Sequence, residues 1–524
     1  MIFKQKYLII LKCVVLILIV LNPILGSSQS AFPYTLDLES GTLPPGVILP
    51  TGGGNNNAQF TADGLLLTDS KNQFGAIIID DVEFDSTNGI EVEIVFSMYK
   101  GTKYDGSYGD GFSSFLFDGS EASDIGYRGG GLGYNYNRTR ANTSYRGKGL
   151  NGAYLGIGFD QFGNFKANRF SDVARTAGYN TATGGNWNGN SYQSHITLRG
   201  AQLKGGFSNT NYGLRGDRYS GYPLLYTVTT RSTTNSFGGK SLDVTDGSYI
   251  DVPPFTGSDT FELRNGVLTD DPNNLNYRKA FIRLVPAAPQ PGYLITIEIQ
   301  HGNTLTTVVD NYYYPDSLVY VENANSNGIV NASTESAYQG QSTTHTLDCS
   351  VPNTFKIGLA GSTGGASQIQ VISFLKIKLP FMPELAEDAL NHCGNYKSLE
   401  FSPFENDIVY NGLVTSPTSG NDSNHIDFSS FLFLDESGNP IGTPTSYTEN
   451  GVGTWNYDAS TGQITFAPDK NFLGEANVYY SVKGLGTNGG PFGQDIYRSE
   501  PTKISVNVVR CNGISNPNLY MKSN

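Results

Sequence analysis

Tryptophan (2), methionine (4), cysteine (4) and histidine (5) are scarce in this chain of 524 residues, and only 15% of residues are charged. So few histidines and cysteines leave no group with zinc-ligand spacing. Long Ala/Leu/Glu/Lys tracts are missing, which excludes helical bundles and coiled coils. Beyond the N-terminus no stretch is apolar enough to cross a membrane as a helix. Basic charge is in deficit, 34 − 47 = −13. An acidic surface excludes nucleic acid and anionic lipid as electrostatic partners, and leaves neutral ligands and divalent cations.

The N-terminus, "MIFKQKYLIILKCVVLILIVLNPILGSSQS", has a basic start at Lys4 and Lys6, an apolar stretch, and small residues at Gly26, Ser27 and Ser28. This is the pattern of a signal peptide over 1–28. The apolar run after Lys12 is short for a membrane anchor. On this reading the mature chain begins near residue 29 and has no membrane span. It is secreted, extracellular or held at the cell surface, with a balance of 31 − 47 = −16. Outside the cytoplasm disulfides are permitted. A Cys393–Cys511 bridge, or free thiols at Cys349, Cys393 and Cys511, both fit the spacing.

What the sequence has in quantity is Gly (63), Tyr (32) and Phe (29). Short alternating strands recur between Gly/Asn/Ser turns from 31 to 381. "GIEVEIVFSM" (89–98) sets Ile90, Val92 and Ile94 on one face, and Glu91 and Glu93 on a face expected to meet solvent. "YLITIEIQ" (293–300) and "TFKIGLAG" (354–361) alternate in the same way, and "QVISFLKIKL" (370–379) closes the run. Strands without helices indicate an antiparallel sandwich. The stretch 200–285 reads as irregular loops. Pro380 and Pro383 punctuate a linker carrying little to bury. A second block, 385–511, has the size and strand spacing of an Ig-like sandwich. "TKISVNVV" (502–509) is its expected edge strand, and "END" (405–407) reads as solvated acids. Residues 512–524 form a polar tail.

Four stretches carry candidate chemistry. "YLGIGFDQFGNF" (154–165) is a strand that ends in Asp160, with Phe162 and Asn164 following. Asp160, the Phe162 carbonyl and Asn164 could turn toward one point as oxygen ligands for calcium. An Asx-turn would give the same local pattern. "YGDGFSSFLFDGS" (108–120) holds Asp110 between glycines at the head of a strand. "GYRGGGLGYNYN" (126–137) holds Gly129, Gly130 and Gly131, whose backbone can approach a ligand closely. "TFKIGLAGSTGGASQIQVISFLKIKL" (354–379) is the fourth.

In this order, these stretches resemble the legume-type (L-type) lectins, in a bacterial secreted form. The second block is similar to the Ig-like or cadherin-like repeats of bacterial surface proteins. The resemblance implies an all-β chain: a concanavalin-like jelly roll over 31–381, then the smaller sandwich. It implies a carbohydrate site in which Asp110 accepts from sugar hydroxyls, and a backbone N–H near Gly130 and Gly131 donates. The Phe162 ring then stacks on the sugar, and Asn164 binds sugar through its amide. It also implies calcium held by Asp160, Phe162, Asn164 and Asn190. The family's paired transition-metal site uses a Glu two residues before the calcium Asp, with a downstream Asp and His that resemble Asn190 and His195. Here Gly158 and Asn190 stand there, so no transition metal is expected and calcium only weakly. His195 is read as a surface or packing histidine.

The resulting expectation is a non-enzymatic protein that recognises a glycan or polysaccharide, with the C-terminal block offering contacts to surface proteins in adhesion. One alternative is a structural module whose sugar site has decayed. Another is a glycoside hydrolase of the same sandwich fold, which needs two acids at close range. Glu91 and Glu93 alternate but lack a third.

Overall fold

Strands that alternate large apolar residues with Gly, Ser and Thr can be covered on both faces, and this chain builds its sheets from them. A computed structural model describes residues 31–52, 54–104, 106–136, 147–166, 194–204, 207–209, 214–216, 218–231, 239–323, 342–393, 397–407, 426–484 and 497–510. The N-terminal segment, Asn190, Cys511 and the tail 512–524 lie outside these.

Two large antiparallel sheets face each other as a jelly-roll sandwich. One has eight strands, with Ile90–Tyr99 paired between Arg278–Pro286 and Ile369–Lys378. Its far edge is the long hairpin of Tyr293–His301 and Thr304–Tyr314. The other has nine strands, with Gly111–Asp118 between Ala153–Asp160 and Thr354–Ser362. The stretch 200–285, expected to be loops, supplies three of its strands: Leu224–Thr229, Gly239–Leu242 and Tyr249–Val252.

Ile90, Val92, Ile94 and Phe96 point from the first sheet into the shared core, and Phe112, Leu155, Ile157 and Phe159 from the second. Phe112 and Phe159 stack at 4.4 Å, and Phe96 meets both edge-on at 5.2 and 5.1 Å. Each buried phenylalanine contributes about 1.5–3 kcal/mol. The nine-stranded sheet is covered on its outer face too. Ala76, Ile78, Phe115, Phe117 and Ala360 lie there under Leu132, Tyr134, Phe165 and Tyr222 from the loops. The glycines of Ala153–Asp160 make that cover possible. A Cβ at Gly156 would lie 2.5 Å from the Tyr134 ring, and one at Gly158 2.2 Å from the Phe165 ring.

Glu91 and Glu93, expected in solvent, are 0% and 3% exposed. Arg283 and Lys378 stand opposite Glu91 on the flanking strands, so the charges are cross-strand neighbours. Arg283 pairs with Glu91 at 3.2 Å and Glu298 at 2.5 Å, while Glu93 takes Lys279 at 2.6 Å and Lys378 at 2.8 Å. Burial opposes the Glu93 charge, but Lys378 and Lys279 outweigh it and hold that carboxyl down at about 2. The linker lies over the cluster rather than in solvent. Phe381 N–H donates to Glu91 at 3.3 Å, its ring lies 5.3 Å from the Arg283 guanidinium, and Glu384 reaches Lys378 at 2.9 Å. Met382 joins the large core.

The second block forms two four-stranded sheets around a separate core that includes Trp455, Phe431, Tyr457, Phe466 and Tyr480. Thr502–Val509 is not an edge. It pairs in parallel with Asp388–Cys393 and antiparallel with Gly474–Gly484. Cys393 is disulfide-bonded, and Cys349 is free and buried. Asp407 is fully buried, where it accepts from Ala386 N–H at 2.7 Å and Tyr480 Oη at 2.9 Å. Burial pushes its carboxyl up to about 7. Burial, with the charges of Asp407 and Glu405, pushes Asp388 up to about 8.

Two outcomes follow. Arg283→Met leaves Glu91 and Glu298 buried beside a lost cation, and should cost about 3–5 kcal/mol in urea unfolding. Arg283→Lys should cost less. A loss for Arg283→Met no larger than that of a surface substitution would show the cluster to be dispensable. In the smaller unit, Asp388 and Asp407 have carboxyl pKa values raised above the unfolded value near 4. Their protonation therefore favours the folded state. That stability is full below about pH 4 and is lost as the pH rises through about 7–8. Melting of residues 385–510 should fall across this window, and Asp388→Asn should flatten the fall.

Candidate functional site

The site forms where three strand ends of the nine-stranded sheet meet the glycine turn. Asp110 precedes Gly111–Asp118, Asp160 ends Ala153–Asp160, and Ser362 ends Thr354–Ser362. Because these strands are neighbours, their ends and following loops are brought together by register alone.

Ser362 is the hub. Its carbonyl accepts the Asp110 N–H at 2.8 Å, and its hydroxyl accepts the Gly129 N–H at 2.8 Å. Gly129–Gly131 forms a single 3-10 turn, with Gly129 at φ +61°. The Gly109–Asp110 peptide is cis. The Asp110 carbonyl accepts the Phe162 N–H at 2.8 Å, and the Asp110 carboxylate accepts from Asn164 Nδ2 at 3.2 Å. Gly109 has no side chain because Phe162 lies on it, and a Cβ there would come within 2.9 Å of that ring. Phe162 is half-buried, while Asp110 and Asn164 are 6% and 9% exposed. Asp110, Gly129–Gly131, Phe162 and Asn164, from three separate stretches, are thus brought together with the loop after Ser362.

Two residues of this site carry no sequence signal of their own. Ser362 sits in a Gly/Ser-rich run, and only the strand pairing shows that it ties two loops. Tyr104 is 55% exposed, and its ring stands 3.1 Å from where a Gly365 Cβ would be. Gly364, one residue earlier, lies beside Asp110, with a Cβ there 4.0 Å from Asp110 Oδ2. An exposed aromatic over a glycine loop can receive the C–H face of a polar ring.

The calcium assignment fares differently. Asp160 is fully buried, and both its oxygens accept backbone N–H groups, from Gly163 at 2.8 Å and Lys166 at 3.1 Å. Burial raises its carboxyl pKa, and the charges of Lys166 and Arg199 act against that rise. Lys166 and Arg199 are themselves 1% and 0% exposed. Burial pushes the Lys166 amine down to about 7, and its attraction to Asp160 resists this. The Asn164 amide donates to Asp110. At Gly158, where the resemblance implies a carboxylate, the Phe165 ring fills the space. His195, cross-strand from Asp160, is buried and bonded through Nδ1 to Thr227 Oγ1 at 3.2 Å. Asn190 lies outside the described residues, among which no group of three or more His, Cys, Asp or Glu could hold a metal. Among the described residues this leaves one buried carboxylate, with both oxygens already taken by backbone N–H groups and the Asn164 amide turned to Asp110, a poor donor set for calcium.

No family model matches the sequence, and no curated protein matches it. Among solved structures, the VIP36 exoplasmic/lumenal domain in its Ca2+/Man3GlcNAc-bound form matches at 11% identity and TM-score 0.30, over 64% of this chain and 86% of that one. Its Ca2+-bound form matches at 12% and 0.32, over 66% and 89%. The metal-free Emp46p carbohydrate recognition domain matches at 11% and 0.30, over 66% and 95%. Likeness at this level carries neither fold nor function to this chain, whose architecture stands on its own sheets.

The packing at Gly158 is open to test. Gly158→Ala must displace the Phe165 ring from a filled outer layer, and should cost about 1–3 kcal/mol in denaturant unfolding. An unchanged midpoint would show that the ring has room to move.

Proposed function

We propose that this chain is a secreted or cell-surface carbohydrate-binding protein whose site is the cleft of Asp110, Gly129–Gly131, Phe162, Asn164 and the loop after Ser362. The observation that supports it is the bonded meeting of a carboxylate, a side-chain amide and a half-buried aromatic at two neighbouring strand ends. Sugars present vicinal hydroxyls and apolar C–H faces, and this set offers an acceptor, a donor and a platform. We place the binding unit at 31–381 and assign the 385–511 unit to spacing or to contact with surface proteins. No helix among the described residues is long and apolar enough to cross a membrane.

A hydrolytic role gains no support from Glu91 and Glu93, which are buried and ion-paired on the other sheet. A structural module with a decayed sugar site is the second reading. It is favoured by Gly158, where Phe165 fills the place of an expected metal carboxylate.

A glycan array separates the two readings, with binding to a defined set of glycans expected. Asp110→Asn keeps the shape but can accept at only one of its two side-chain atoms. It should weaken binding of the sugar found by about a hundredfold, or roughly 2–3 kcal/mol, in calorimetric titration. Its melting point should stay close to that of the parent. Full binding by the folded mutant would remove Asp110 from the site, and a blank array would favour the decayed-site reading.

A further inference from the structure

We propose that the cavity beside the Gly129–Gly131 turn receives the acidic group of a glycan, a carboxylate or a sulfate, through Arg128, Lys148 and Arg218. The proposal deepens the carbohydrate reading, on which it rests for the neighbouring sugar, and names the glycan's class as acidic.

The cavity measures about 820 Å³, within the size range of small-ligand sites. Arg128, Lys148 and Arg218 line it together with Asp124, Tyr127 and Tyr219. In a chain whose charge balance is 34 − 47 = −13, three cations and one carboxylate around a single cavity are a local excess of positive charge. A concave site focuses such a field on what enters it.

The cations are placed differently. Arg218 is fixed, with Nη2 paired to Asp124 at 2.8 Å and Nε donating to the Gly149 carbonyl at 2.6 Å. Asp124 is engaged by that pair and by the Ile125 N–H at 2.8 Å. Arg128 lies across Gly54, where a Cβ would come within 1.6 Å of its Nη2, so the guanidinium holds the space a side chain there would need. Lys148 is exposed, and neither it nor Arg128 is ion-paired to a carboxylate among the described residues. An anion in the cavity would therefore meet two cations with no competing carboxylate, one of them a planar guanidinium that suits carboxylate and sulfate oxygens.

Position joins the cavity to the sugar site. Arg128 precedes Gly129, whose N–H is bonded to the Ser362 hydroxyl at 2.8 Å, and the Ser362 carbonyl accepts the Asp110 N–H at 2.8 Å. A Cβ at Gly131 would stand 3.2 Å from Tyr127 and one at Gly147 2.2 Å from its ring, so Tyr127 ties the turn to the segment bearing Lys148. A glycan lying along Gly129–Gly131 would bring one sugar to Asp110 and the acidic group of the next to Arg128.

The experiment is calorimetric titration of the full chain with oligosaccharides of galacturonate, of glucuronate and of sulfated galactose, each beside its methyl-esterified or desulfated counterpart. The uronate and sulfate arms tell which acidic group is taken. An acidic probe should bind about tenfold or more tightly than its neutral counterpart, the worth of one charge-assisted hydrogen bond. That preference should shrink as salt is raised. Arg128→Gln and Lys148→Gln should each lower it. Lys148 is exposed, so its variant keeps the test open if Arg128→Gln does not fold. Equal binding of every acidic probe and its counterpart overturns the proposal and leaves the carbohydrate reading standing. So does a preference that neither variant changes. Equal competition by acetate or inorganic sulfate reduces the cavity to a plain anion site and also overturns it. Acid-dependent binding that falls with Lys148→Gln but survives Asp110→Asn in full supports the cavity and removes the site at Asp110. Silence toward every probe overturns the proposal whatever sugar an array finds.

Discussion

The contact of Phe96 with Phe112 and Phe159 sets the position of everything at the edge of the nine-stranded sheet that carries Asp110 and Asp160. Phe112 follows Gly111 and Phe159 precedes Asp160, so each ring sits on a strand that carries one of the loop's carboxylates. Phe96 comes from the opposite sheet and meets both rings within about 5 Å. The sheets are thus registered to each other directly beneath the cleft. A site supported by strand ends over such a contact holds its geometry better than one carried by loops alone. The second, outer layer of Tyr134, Phe165 and Tyr222 holds the loops from the other side. The strand glycines are the condition for that layer, since side chains at Gly156 or Gly158 would occupy its space.

The larger unit takes carboxylates out of water in two ways. On the eight-stranded sheet, Glu91, Glu93 and Glu298 are matched by Arg283, Lys279 and Lys378, and the linker residues Phe381 and Glu384 cover the cluster. On the nine-stranded sheet Asp110 and Asp160 are held by hydrogen bonds, Asp110 from the Asn164 amide and Asp160 from the N–H groups of Gly163 and Lys166. Such groups add little net stability over an apolar filling, but the loss of one partner is costly. They fix which strands and loops lie next to one another.

How legible this was in the sequence follows from the range of each interaction. Period-2 alternation marks Ile90–Tyr99 and Thr354–Ser362 as strands, because alternation is local. It cannot say what covers the second face. Glu91 and Glu93 therefore read as solvated, when the strands bearing Arg283 and Lys378 and the linker enclose them. The same limit made Thr502–Val509 look like an edge. The strands within 200–285 are short, and Gly, Tyr, Asn and Ser around them mask the alternation. At the site, Asp110, Phe162 and Asn164 were marked by short motifs. Ser362 acts across 233 residues, through its bond to Gly129, and has no local mark.

The thiol of Cys349 has a practical consequence. It is 2% exposed, donates to the Pro315 carbonyl at 2.9 Å, and is pushed up to about 12 by burial. Alkylation proceeds through the thiolate, so this sulfur is silent toward maleimides at neutral pH. Cys393 is already oxidised to a disulfide. Among the described residues the chain therefore offers no competing nucleophile to a thiol-directed dye. Ser70 is exposed, and its carbonyl accepts the Thr363 hydroxyl at 2.6 Å beside the cleft. A fluorophore on a cysteine introduced there would sit beside the loop after Ser362, with Cys349 and Cys393 left in place.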